Sequence, residues 1–418
     1  MEIDYNMPKG WVETTLGLLP EDWIPVDAQS YCDKVADGTH DSPKKTEEGK
    51  LLITSKNIKD SRLDTKSAYN ISYNDFIEIN NRSKVDQWDV LLSMIGTVGE
   101  VCLIDKEPDF AIKNVGLFKC GNKTKAKWLY YFLKSKIGRH YIFSRLSGTT
   151  QKYITLGELR KLPIPNPPLP EQKAIAAVLS ACDDKIELLR EQNQTLETIA
   201  QTIFKEWFVN FNFPDKNGRP YRENGGEMVD SELGEIPKGW RVGNIGHVLT
   251  LLYGKALKTE DRTGSGFPVY GSNGIVGYHE KYLVEGPGVI VGRKGSMGKV
   301  VWSNSNFFPI DTTFYVSDMF NTTGLFFHYF LLKRYDFEKI GSDSAVPGLN
   351  RNAVYVIKLA LPSLDIIEKF NIICKTIFKK IKNNTLQTQT LAQIRDTLLP
   401  KLMTGELRVA PYGRRSDL

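Results

Sequence analysis

Residues 171–208 read EQKAIAAVLSACDDKIELLREQNQTLETIAQTIFKEWF, and they predict one long helix. The stretch has no internal proline or glycine, and its apolar residues recur in alternating steps of four and three, which is the spacing of a coiled-coil seam. The seam positions are Ile175, Leu179, Cys182, Ile186, Leu189, Asn193, Leu196, Ala200, Ile203 and Trp207. Such a helix extends about 57 Å. Its single apolar stripe requires a partner.

The same chain supplies that partner 195 residues later. The shift superimposes these pairs: Leu196 and Leu391, Ile199 and Ile394, Phe204 and Leu399, Trp207 and Leu402. The repeat predicts a second seam helix, antiparallel to the first because the chain must return along it. The middle of the seam is polar, with Asn193 in the first helix and Asn384 and Thr388 in the second. These residues either fix the register of the pair or are tolerated near an opening in it.

The repeat extends to the globular parts of the chain. LGLLPEDW (16–23) resembles LGEIPKGW (233–240), and DVLLSMIGTVGEV (89–101) resembles GVIVGRKGSMGKV (288–300). Short apolar runs between Gly, Asn and Asp turns predict strands. Apolar periodicity predicts a helix at 125–145, and the repeat predicts the corresponding helix near 321–339. We therefore predict an α+β protein with two repeated mixed α/β domains separated by two long helices that form an antiparallel coiled coil. The predicted segments are domain 1 at 1–170, the first spacer helix at 171–209, a connector at 210–232, domain 2 at 233–362, the second spacer helix at 363–409 and a tail at 410–418.

The composition is that of a globular protein. The 418 residues are 41% hydrophobic, and the net charge of +6 permits nucleic-acid binding without requiring it. No apolar run reaches the roughly 18 residues of a membrane span, and the start MEIDYNMPKG differs from a signal peptide. The five cysteines are scattered and never form a CxxC pair, so we expect reduced thiols in a cytoplasmic protein.

Three short motifs resemble catalytic ones, but each lacks an essential part. NPPL at 166–169 has leucine where the NPPY motif of adenine-N6 methyltransferases has its stacking aromatic residue. PDFAIK at 108–113 has Ala111 where a nuclease needs a second acid to hold its metal ion. GRKGSMGK at 292–299 departs from the GxxxxGK[ST] phosphate loop, and the five histidines are too dispersed for a metal site. We expect no catalytic residue and no metal site in this chain.

Several motifs together resemble the DNA specificity subunits of type I restriction-modification systems. They are DGTHDSPKK (37–45), IAAVLSACDDKIELLREQNQTLETIAQTIFKEWFVNF (175–211), FP-x4-RPY-x3-GGEMVDSELGEIPKGW (213–240), YGSNGIVGYHEKYLVEGPGVIVGRKGSMGKV (270–300), AVPGLNRN (345–352) and LAQIRDTLLPKLMTGELRV (391–409). The resemblance covers essentially the whole chain. It implies two target recognition domains, each reading one half of a split DNA sequence, and two helices that bind methyltransferase subunits.

The residues alone favour the same mechanism. Two base-reading units at a fixed distance would read half-sites about one helical turn, ~34 Å, apart on one side of the duplex. Because the loops of the two units differ, the half-sites should differ, and the helix pair should set their spacing. Two other functions stay open: a stand-alone DNA methyltransferase or nuclease, which would bind its cofactor without a partner, and a coiled-coil scaffold without any DNA preference.

Polar loops that mix Thr, Gln, Asn and Lys are the candidate DNA contacts, because amides pair with adenine edges and lysines hold phosphates. In unit 1 they are Thr39, His40, Lys44, Lys56, Asn57, Thr149, Thr150, Gln151 and Lys152. In unit 2 they are Tyr270, Ser272, Asn273, Arg293, Lys294, Ser296, Asn350 and Arg351. Each could equally be a solvated turn residue, and for His40 a structural role in its turn is favoured.

Chemistry must then come from partner subunits. The resemblance implies two methyltransferase subunits that use S-adenosylmethionine and, where present, restriction subunits that use ATP and Mg; this chain itself is expected to bind no cofactor. The outer faces of the two helices are the candidate docking surface. The candidate residues are Asp183, Asp184, Glu187, Glu191, Trp207, Phe208, Lys379 and Lys380. Solvated coiled-coil flanks are the alternative for the charged residues, and core packing is the alternative for Trp207 and Phe208.

Overall fold

The computed structural model describes residues 9–340 and 348–409. The predicted tail at 410–418, the first eight residues and the start of the AVPGLNRN motif lie outside the described residues. The chain folds into two compact units. Unit 1 comprises residues up to 187 together with those from 388 onward, and unit 2 comprises residues 188–387. Each unit therefore contains part of both long helices.

In its described residues, unit 1 has thirteen short strands and five α-helices before the first long helix. The strands are β1 (Trp11–Thr14), β2 (Gly17–Pro20), β3 (Val26–Asp27), β4 (Lys34–Asp37), β5 (Lys50–Thr54), β6 (Ile58–Lys59), β7 (Arg62–Leu63), β8 (Tyr69–Ile71), β9 (Asp89–Ser93), β10 (Val101–Leu103), β11 (Phe110–Lys113), β12 (Val115–Lys119) and β13 (Pro163–Ile164). The helices are α1 (Ala28–Tyr31), α2 (Tyr73–Ser83), α3 (Lys123–Lys134), α4 (Lys136–Phe143) and α5 (Leu156–Arg160). The first long helix is α6 (Leu169–Phe208).

Unit 2 follows the same plan with fewer elements. Its strands are β14 (Met228–Val229), β15 (Ile236–Pro237), β16 (Arg241–Asn244), β17 (Leu249–Tyr253), β18 (Phe267–Gly271), β19 (Gly274–His279), β20 (Gly288–Gly292), β21 (Val300–Ser303), β22 (Phe308–Pro309), β23 (Thr313–Asp318) and β24 (Lys358–Leu361). Its helices are α7 (Phe326–Lys333), α8 (Phe337–Ile340) and α9 (Arg351–Tyr355). The second long helix is α10 (Leu364–Thr404).

The two units share one arrangement of strands. The four-stranded sheet has the order β10-β9-β12-β4 in unit 1 and β21-β20-β23-β17 in unit 2. The three-stranded sheet has the order β8-β5-β11 in unit 1 and β19-β18-β22 in unit 2, and in both units the last pair is parallel. The pairs β1-β2 and β3-β13 recur as β14-β15 and β16-β24. This confirms the duplicated α+β fold predicted from the sequence.

The strand register identifies equivalent residues in the two units. In unit 1, Leu92, Gly116 and Asp37 lie side by side on three neighbouring strands. The corresponding row in unit 2 is Val291, Phe314 and Tyr253. Asp37 and Tyr253 thus occupy the same place, at the last residue of β4 and of β17. Glycine follows each of them because a side chain at Gly38 or Gly254 would collide with a carbonyl of the neighbouring segment.

Unit 1 carries an insertion next to this row. Helix α2 lies between β8 and β9, whereas the described chain between β19 and β20 contains no helix. Ser72 caps α2 by accepting a hydrogen bond from the Asp75 N–H. Phe76 and Ile79 then bury the apolar face of the helix on the three-stranded sheet. The C-terminal turn of α2 thereby brings Arg82 to Asp37, with which it forms an ion pair.

The long helices are antiparallel within each unit, as the sequence predicts. In unit 2, Asn193 of α6 lies beside Asn384 of α10, and Trp207 further along α6 lies against Phe370, which is earlier in α10. The polar middle of the seam is a direct contact, in which the Asn384 amide donates to Asn193 Oδ1 at 2.9 Å. Asn384 is fully buried and Asn193 half-buried. Side-chain amides therefore replace apolar packing at this layer.

The prediction of one helix over 125–145 is wrong. The backbone leaves the helical region at Ser135, which ends α3 and caps α4. Its hydroxyl donates to the Phe132 carbonyl at 2.7 Å and accepts from the Gly138 N–H at 3.1 Å. Local side-chain hydrogen bonds of this kind offer the backbone an alternative to the helix.

The prediction of one helix over 321–339 is also wrong. Asp318 organises a turn ahead of α7 by accepting hydrogen bonds from the N–H groups of Phe320 and Thr322 at 2.8 and 2.6 Å. The helix therefore begins only at Phe326, and a second helix, α8, follows from Phe337.

Candidate nucleic-acid interface

His40 is held in place by other side chains of unit 1. Its Nε2 lies 3.0 Å from Asp37 Oδ2, and its Nδ1 lies 2.9 Å from Asn114 Oδ1. Asp37 is buried with 4% of its side chain exposed, whereas the side chain of His40 is 63% exposed. Arg82 pairs with the other oxygen of Asp37. His40 is thus an exposed ring held by Asp37 and Asn114, and both of its nitrogens already have partners within the chain.

Two other candidates of unit 1 have their polar groups used internally. The Asn57 side chain is buried and accepts from the Thr54 N–H at 2.8 Å while donating to Ser67 at 3.0 Å. The Thr39 backbone bonds to Ile112 and Asn114, and its hydroxyl accepts from the Asp41 N–H. These contacts close the loops in which the two residues lie. Neither Asn57 nor Thr39 presents a free donor to a base.

The exposed loop 147–153 carries the remaining candidate DNA contacts of unit 1 that have an amide or a hydroxyl group. Ser147 and Tyr153 close it with two backbone hydrogen bonds of 2.8 and 3.1 Å. The four candidates at its tip are all exposed: Thr149, Thr150, Gln151 and Lys152. Lys44 and Lys56 are also exposed and, among the described residues, have no acidic partner.

A chain of hydrogen bonds brings these loops of unit 1 to one edge. Asn114, which contacts His40, accepts from the Ser55 hydroxyl at 2.7 Å through its backbone carbonyl. Ser55 Oγ in turn accepts from the Met94 N–H at 3.3 Å. The Met94 carbonyl accepts from the Ile154 N–H, directly after the closed loop. The segments around residues 40, 55, 94, 114 and 153 therefore form one polar edge, which we call edge 1.

The equivalent edge of unit 2, which we call edge 2, is organised around Tyr253. The guanidinium groups of Arg293 and Arg351 both lie over its ring, each with 5.0 Å between guanidinium carbon and ring centroid. Arg293 also donates to the Asp311 carbonyl at 2.8 Å. The Tyr253 ring contacts Phe314 and remains 48% exposed. Two candidates that are far apart in the sequence thus meet at an aromatic residue that sequence reasoning missed.

The other candidates of unit 2 fall into two groups. Lys294 and Asn273 are exposed, and Asn273 is held by Lys299, which donates to both of its oxygens at 2.8 and 2.9 Å. Ser272 and Ser296 are half-buried and lie beside Gly292. By contrast, Tyr270 is buried against Phe307.

Asn350 is the N-cap of α9, where it accepts a hydrogen bond from the Asn352 N–H at 2.9 Å. Tyr270 and Asn350 therefore have structural roles, whereas Asn273 and Lys294 lie at the exposed surface.

The sequence contained signals for the residues that were missed. Aligning VADG (35–38) with LLYG (251–254) places Asp37 over Tyr253. The lone Asn114 between two apolar runs adopts a positive φ of 53° and marks the turn that joins β11 to β12. Arg82 could not have been found this way, because it reaches Asp37 only through the insertion of α2.

Four of the candidate docking residues on α6 have partners within their own unit. Asp183 accepts from Tyr131 at 2.9 Å and from Arg395 of α10 at 2.6 Å. Burial and the Asp183 charge raise the pKa of Tyr131, so its hydroxyl remains a donor. Glu187 pairs with Arg62. Phe208 is buried, and Trp207 packs on it.

The other four candidate docking residues are exposed: Asp184, Glu191, Lys379 and Lys380. Of the predicted docking surface, these four are the side chains that a partner subunit could meet without displacing an internal contact.

Comparison with known families shows the same duplication. Residues 20–198 and 237–396 each match the family described as "Type I restriction modification DNA specificity domain". The chain belongs to this family. It is a type I specificity subunit with two recognition domains, and such subunits are not catalytic by themselves.

Individual relatives agree with this assignment. The specificity subunit is 29% identical to the type I restriction enzyme MjaIX specificity subunit of Methanocaldococcus jannaschii, over 68% of this chain and 69% of the relative. It is 23% identical to the putative MjaX specificity subunit of the same organism, over 97% and 99% of the two chains. A crystal structure of a type I restriction-modification S subunit from M. genitalium has a TM-score of 0.57 at 21% identity and covers 96% of this chain and 98% of that chain. The last comparison supports the fold.

As a specificity subunit, the protein has DNA and the other subunits of a type I system as partners. In the part of the chain that the structure describes, no helix is long and apolar enough to cross a membrane.

Proposed function

We propose that the two units read the two unlike halves of a split DNA site while the paired long helices fix the spacing between those halves. One observation carries the proposal: the same sheets are present twice, but edge 1 and edge 2 carry different side chains. Edge 1 presents His40 above Asp37, whereas edge 2 presents two arginines on Tyr253. Two units with the same sheets but different exposed side chains suit a DNA site with two different halves. We propose recognition domains with the limits expected from the sequence, 1–170 and 233–362.

Within edge 1, we assign base reading to the closed loop that holds Thr149, Thr150 and Gln151, because amides and hydroxyls there are exposed on a fixed turn. Lys44, Lys56 and Lys152 are assigned to phosphates, and His40 lies beside them as a positioned ring. Within edge 2, Asn273 and Lys294 flank the arginine cluster. Thr39, Asn57, Tyr270 and Asn350 shape the loops, since their polar or aromatic groups are already used.

We assign the exposed charges on the two helices to contacts with methyltransferase subunits. Asp184 and Glu191 on α6 and Lys379 and Lys380 on α10 are available for such contacts. Two methyltransferase subunits would supply S-adenosylmethionine and methylate adenine, and restriction subunits, where present, would supply ATP and Mg. The complex would act in the cytoplasm, and this chain would contribute selection of the site.

Methylome sequencing of cells that express the chain with its methyltransferase subunit tests the proposal. We expect one bipartite methylated motif with two different halves. Gln151→Ala should relax one half only, by about 1–3 kcal/mol of discrimination. Lys294→Ala removes a residue assigned to the DNA backbone. It should weaken binding to all sequences and lower the slope of log K against log salt concentration by about one. A methylated motif without two separate halves would contradict the proposal.

The spacing role has its own test. Inserting seven residues, two helical turns, into both long helices preserves the seam pattern. We expect the preferred spacer between the half-sites to lengthen while both half-site sequences stay the same. An insertion that changes a half-site sequence and leaves the spacer constant would show that the helices do not measure the distance.

A further inference from the structure

The cluster at edge 2 is unusual in its electrostatics. Two guanidinium groups lie over one ring, and in the described chain neither Arg293 nor Arg351 forms an ion pair with a carboxylate. Two like charges this close repel each other, and the aromatic face offsets that repulsion only in part. The arrangement is therefore suited to an electronegative ligand that arrives from outside the chain. Lys294, next in sequence to Arg293, adds a further exposed positive charge.

The two arginines of the cluster are held differently. Arg293 is anchored, because its Nη1 donates to the Asp311 carbonyl and its guanidinium also lies over Phe314 at 5.9 Å. Arg351 contacts the Tyr253 ring, and no hydrogen bond from its guanidinium to another described residue is present. Arg351 is half-buried, and among the described residues its donors are not used by another side chain. An arginine that contacts an aromatic ring has fewer orientations open to its planar fork, so less entropy is lost when it binds.

A planar fork of restricted orientation matches the major-groove edge of guanine. Guanine presents the acceptors O6 and N7 side by side, and bidentate arginine is the commonest specific contact to them. A phosphate also accepts from the same fork, but unlike a base edge it can be held by lysine as a point charge. The aromatic support under Arg351 therefore favours base reading, and the exposed Lys294 is suited to the backbone.

Resting on the proposed function, we propose that Arg351, supported by the face of the Tyr253 ring, reads a guanine in the half-site bound by unit 2. Arg351 is the specificity-determining residue, and Tyr253 and Arg293 are positioning residues. The proposal extends the assignment of edge 2 to a particular base and to an aromatic support.

Unit 1 lacks all three parts at the equivalent positions. Asp37 replaces Tyr253 in the strand register. Met94 replaces Arg293. The Met94 carbonyl accepts from the Ile154 N–H, and the Arg293 carbonyl accepts from the Leu349 N–H. Met94 and Arg293 also each donate their own backbone N–H to the turn before the next strand.

Leu156 replaces Arg351, since each is the first residue of its short helix, after the N-caps Thr155 and Asn350. The guanine requirement should therefore be confined to one half of the site.

The test measures base discrimination in the complete complex of this chain with its methyltransferase subunit. Binding and methylation are compared over duplexes in which each half-site position carries each of the four bases. Arg351→Lys and Tyr253→Ala should lower the preference for one guanine by about ten- to hundredfold. The affected half should be the one that Gln151→Ala leaves intact. Tyr253→Phe, which keeps the ring, should restore the preference.

Arg334→Lys is the matched control, because Arg334 also lies over an aromatic ring of unit 2, Tyr335, but lies outside edge 2. It should leave every preference unchanged, and thermal melting of each variant complex checks folding. Unchanged discrimination in Arg351→Lys would overturn the inference. An equal loss at all sequences, which indicates a phosphate contact, would also overturn it. So would a half-site without guanine. A wild-type complex without a bipartite motif would instead overturn the proposed function itself.

Discussion

Asp37 and Tyr253 end equivalent strands of two equivalent sheets, and their surroundings are opposite. Asp37 is a buried carboxylate covered by Arg82 from the inserted helix α2 and by His40. Tyr253 is 48% exposed and has two half-buried arginines over its ring. Where unit 2 has an exposed aromatic ring, unit 1 has an ion pair that depends on its additional helix α2. Unit 1 places its exposed polar groups elsewhere, on the closed loop 147–153.

The units add different contacts to the apolar packing of the long helices. In unit 1, where Leu179, Leu402 and Met403 share one core, Asp183 also accepts from both Tyr131 and Arg395. In unit 2 aromatic rings pack between the helices, with Phe204 within about 6 Å of four others between centroids. Directional hydrogen bonds fix geometry, whereas aromatic packing contributes more free energy from buried area. The two ends of the helix pair should therefore respond differently to substitution.

The largest expected effect is in the aromatic cluster. Phe204→Ala should lower the free energy of unfolding by about 3–5 kcal/mol, because it empties a buried site. Hydrogen exchange with mass spectrometry should localise the loss to unit 2. Phe204→Leu introduces the residue that the repeat has at position 399 and should cost less than about half as much. Equal losses for the two variants would contradict the packing explanation.

A smaller effect is expected at the row that distinguishes the two edges. Arg82→Ala should cost about 1–3 kcal/mol of unfolding free energy, because the buried Asp37 carboxylate loses its strongest partner. Tyr253→Ala is the matched change in unit 2 and should cost no more than about 0.5 kcal/mol, since the ring is exposed. Urea denaturation of both variants measures the difference. If Tyr253→Ala proved the more damaging, edge 2 would be a packing site.

Acid should distinguish the units through Asp318. Although burial opposes ionisation, hydrogen bonds from His328 and Thr322 lower the pKa of Asp318 below its ordinary value of 3.8. Stability from this carboxylate is present above that value and is lost as the pH falls below it. Asp318→Asn should therefore flatten the pH dependence of unfolding in this range. At the equivalent position, unit 1 has Cys120, whose thiol pKa is raised by its hydrogen bond with Cys32 and by burial.

A modest net effect on stability is expected at the polar layer of the helix pair. Asn193→Leu leaves the buried Asn384 amide without its acceptor, which should cost about 1–3 kcal/mol, and the added apolar burial should offset part of that cost. If the layer fixes register, the variant complex should accept altered spacers in a methylation assay. Unchanged assembly together with an unchanged spacer preference would mean that the polar pair is only tolerated.

Repetition was the feature most readable from the sequence. The shift of 195 residues and the seam spacing predicted two domains and two paired helices, since both depend on regular patterns of apolar residues. Helix breaks were less readable. Ser135 ends a helix through hydrogen bonds of its own side chain, and a serine in a helical pattern gives no warning of this.

Individual contact residues were the least predictable. Asn57 looks like a base-reading amide in sequence, but it folds back on its own loop, and sequence cannot distinguish the two orientations. Asp183 lies beside the seam and therefore meets Arg395 across the helix pair instead of solvent. Tyr253 was missed because the insertions in unit 1 hide its equivalence to Asp37. Contacts between distant segments follow from the fold and cannot be inferred from local pattern.

The return of α10 to unit 1 has a consequence for synthesis on the ribosome. Leu399, Leu402 and Met403 complete the core of unit 1, and Arg408 bonds to Asp22 and Glu171. Unit 2 is continuous over 188–387, so it can finish folding first. At roughly 5–20 residues per second, residue 388 follows residue 187 after about 10–40 seconds. The part of the protein made first is therefore completed last, and it must keep its apolar surface from aggregating while the rest of the chain is translated.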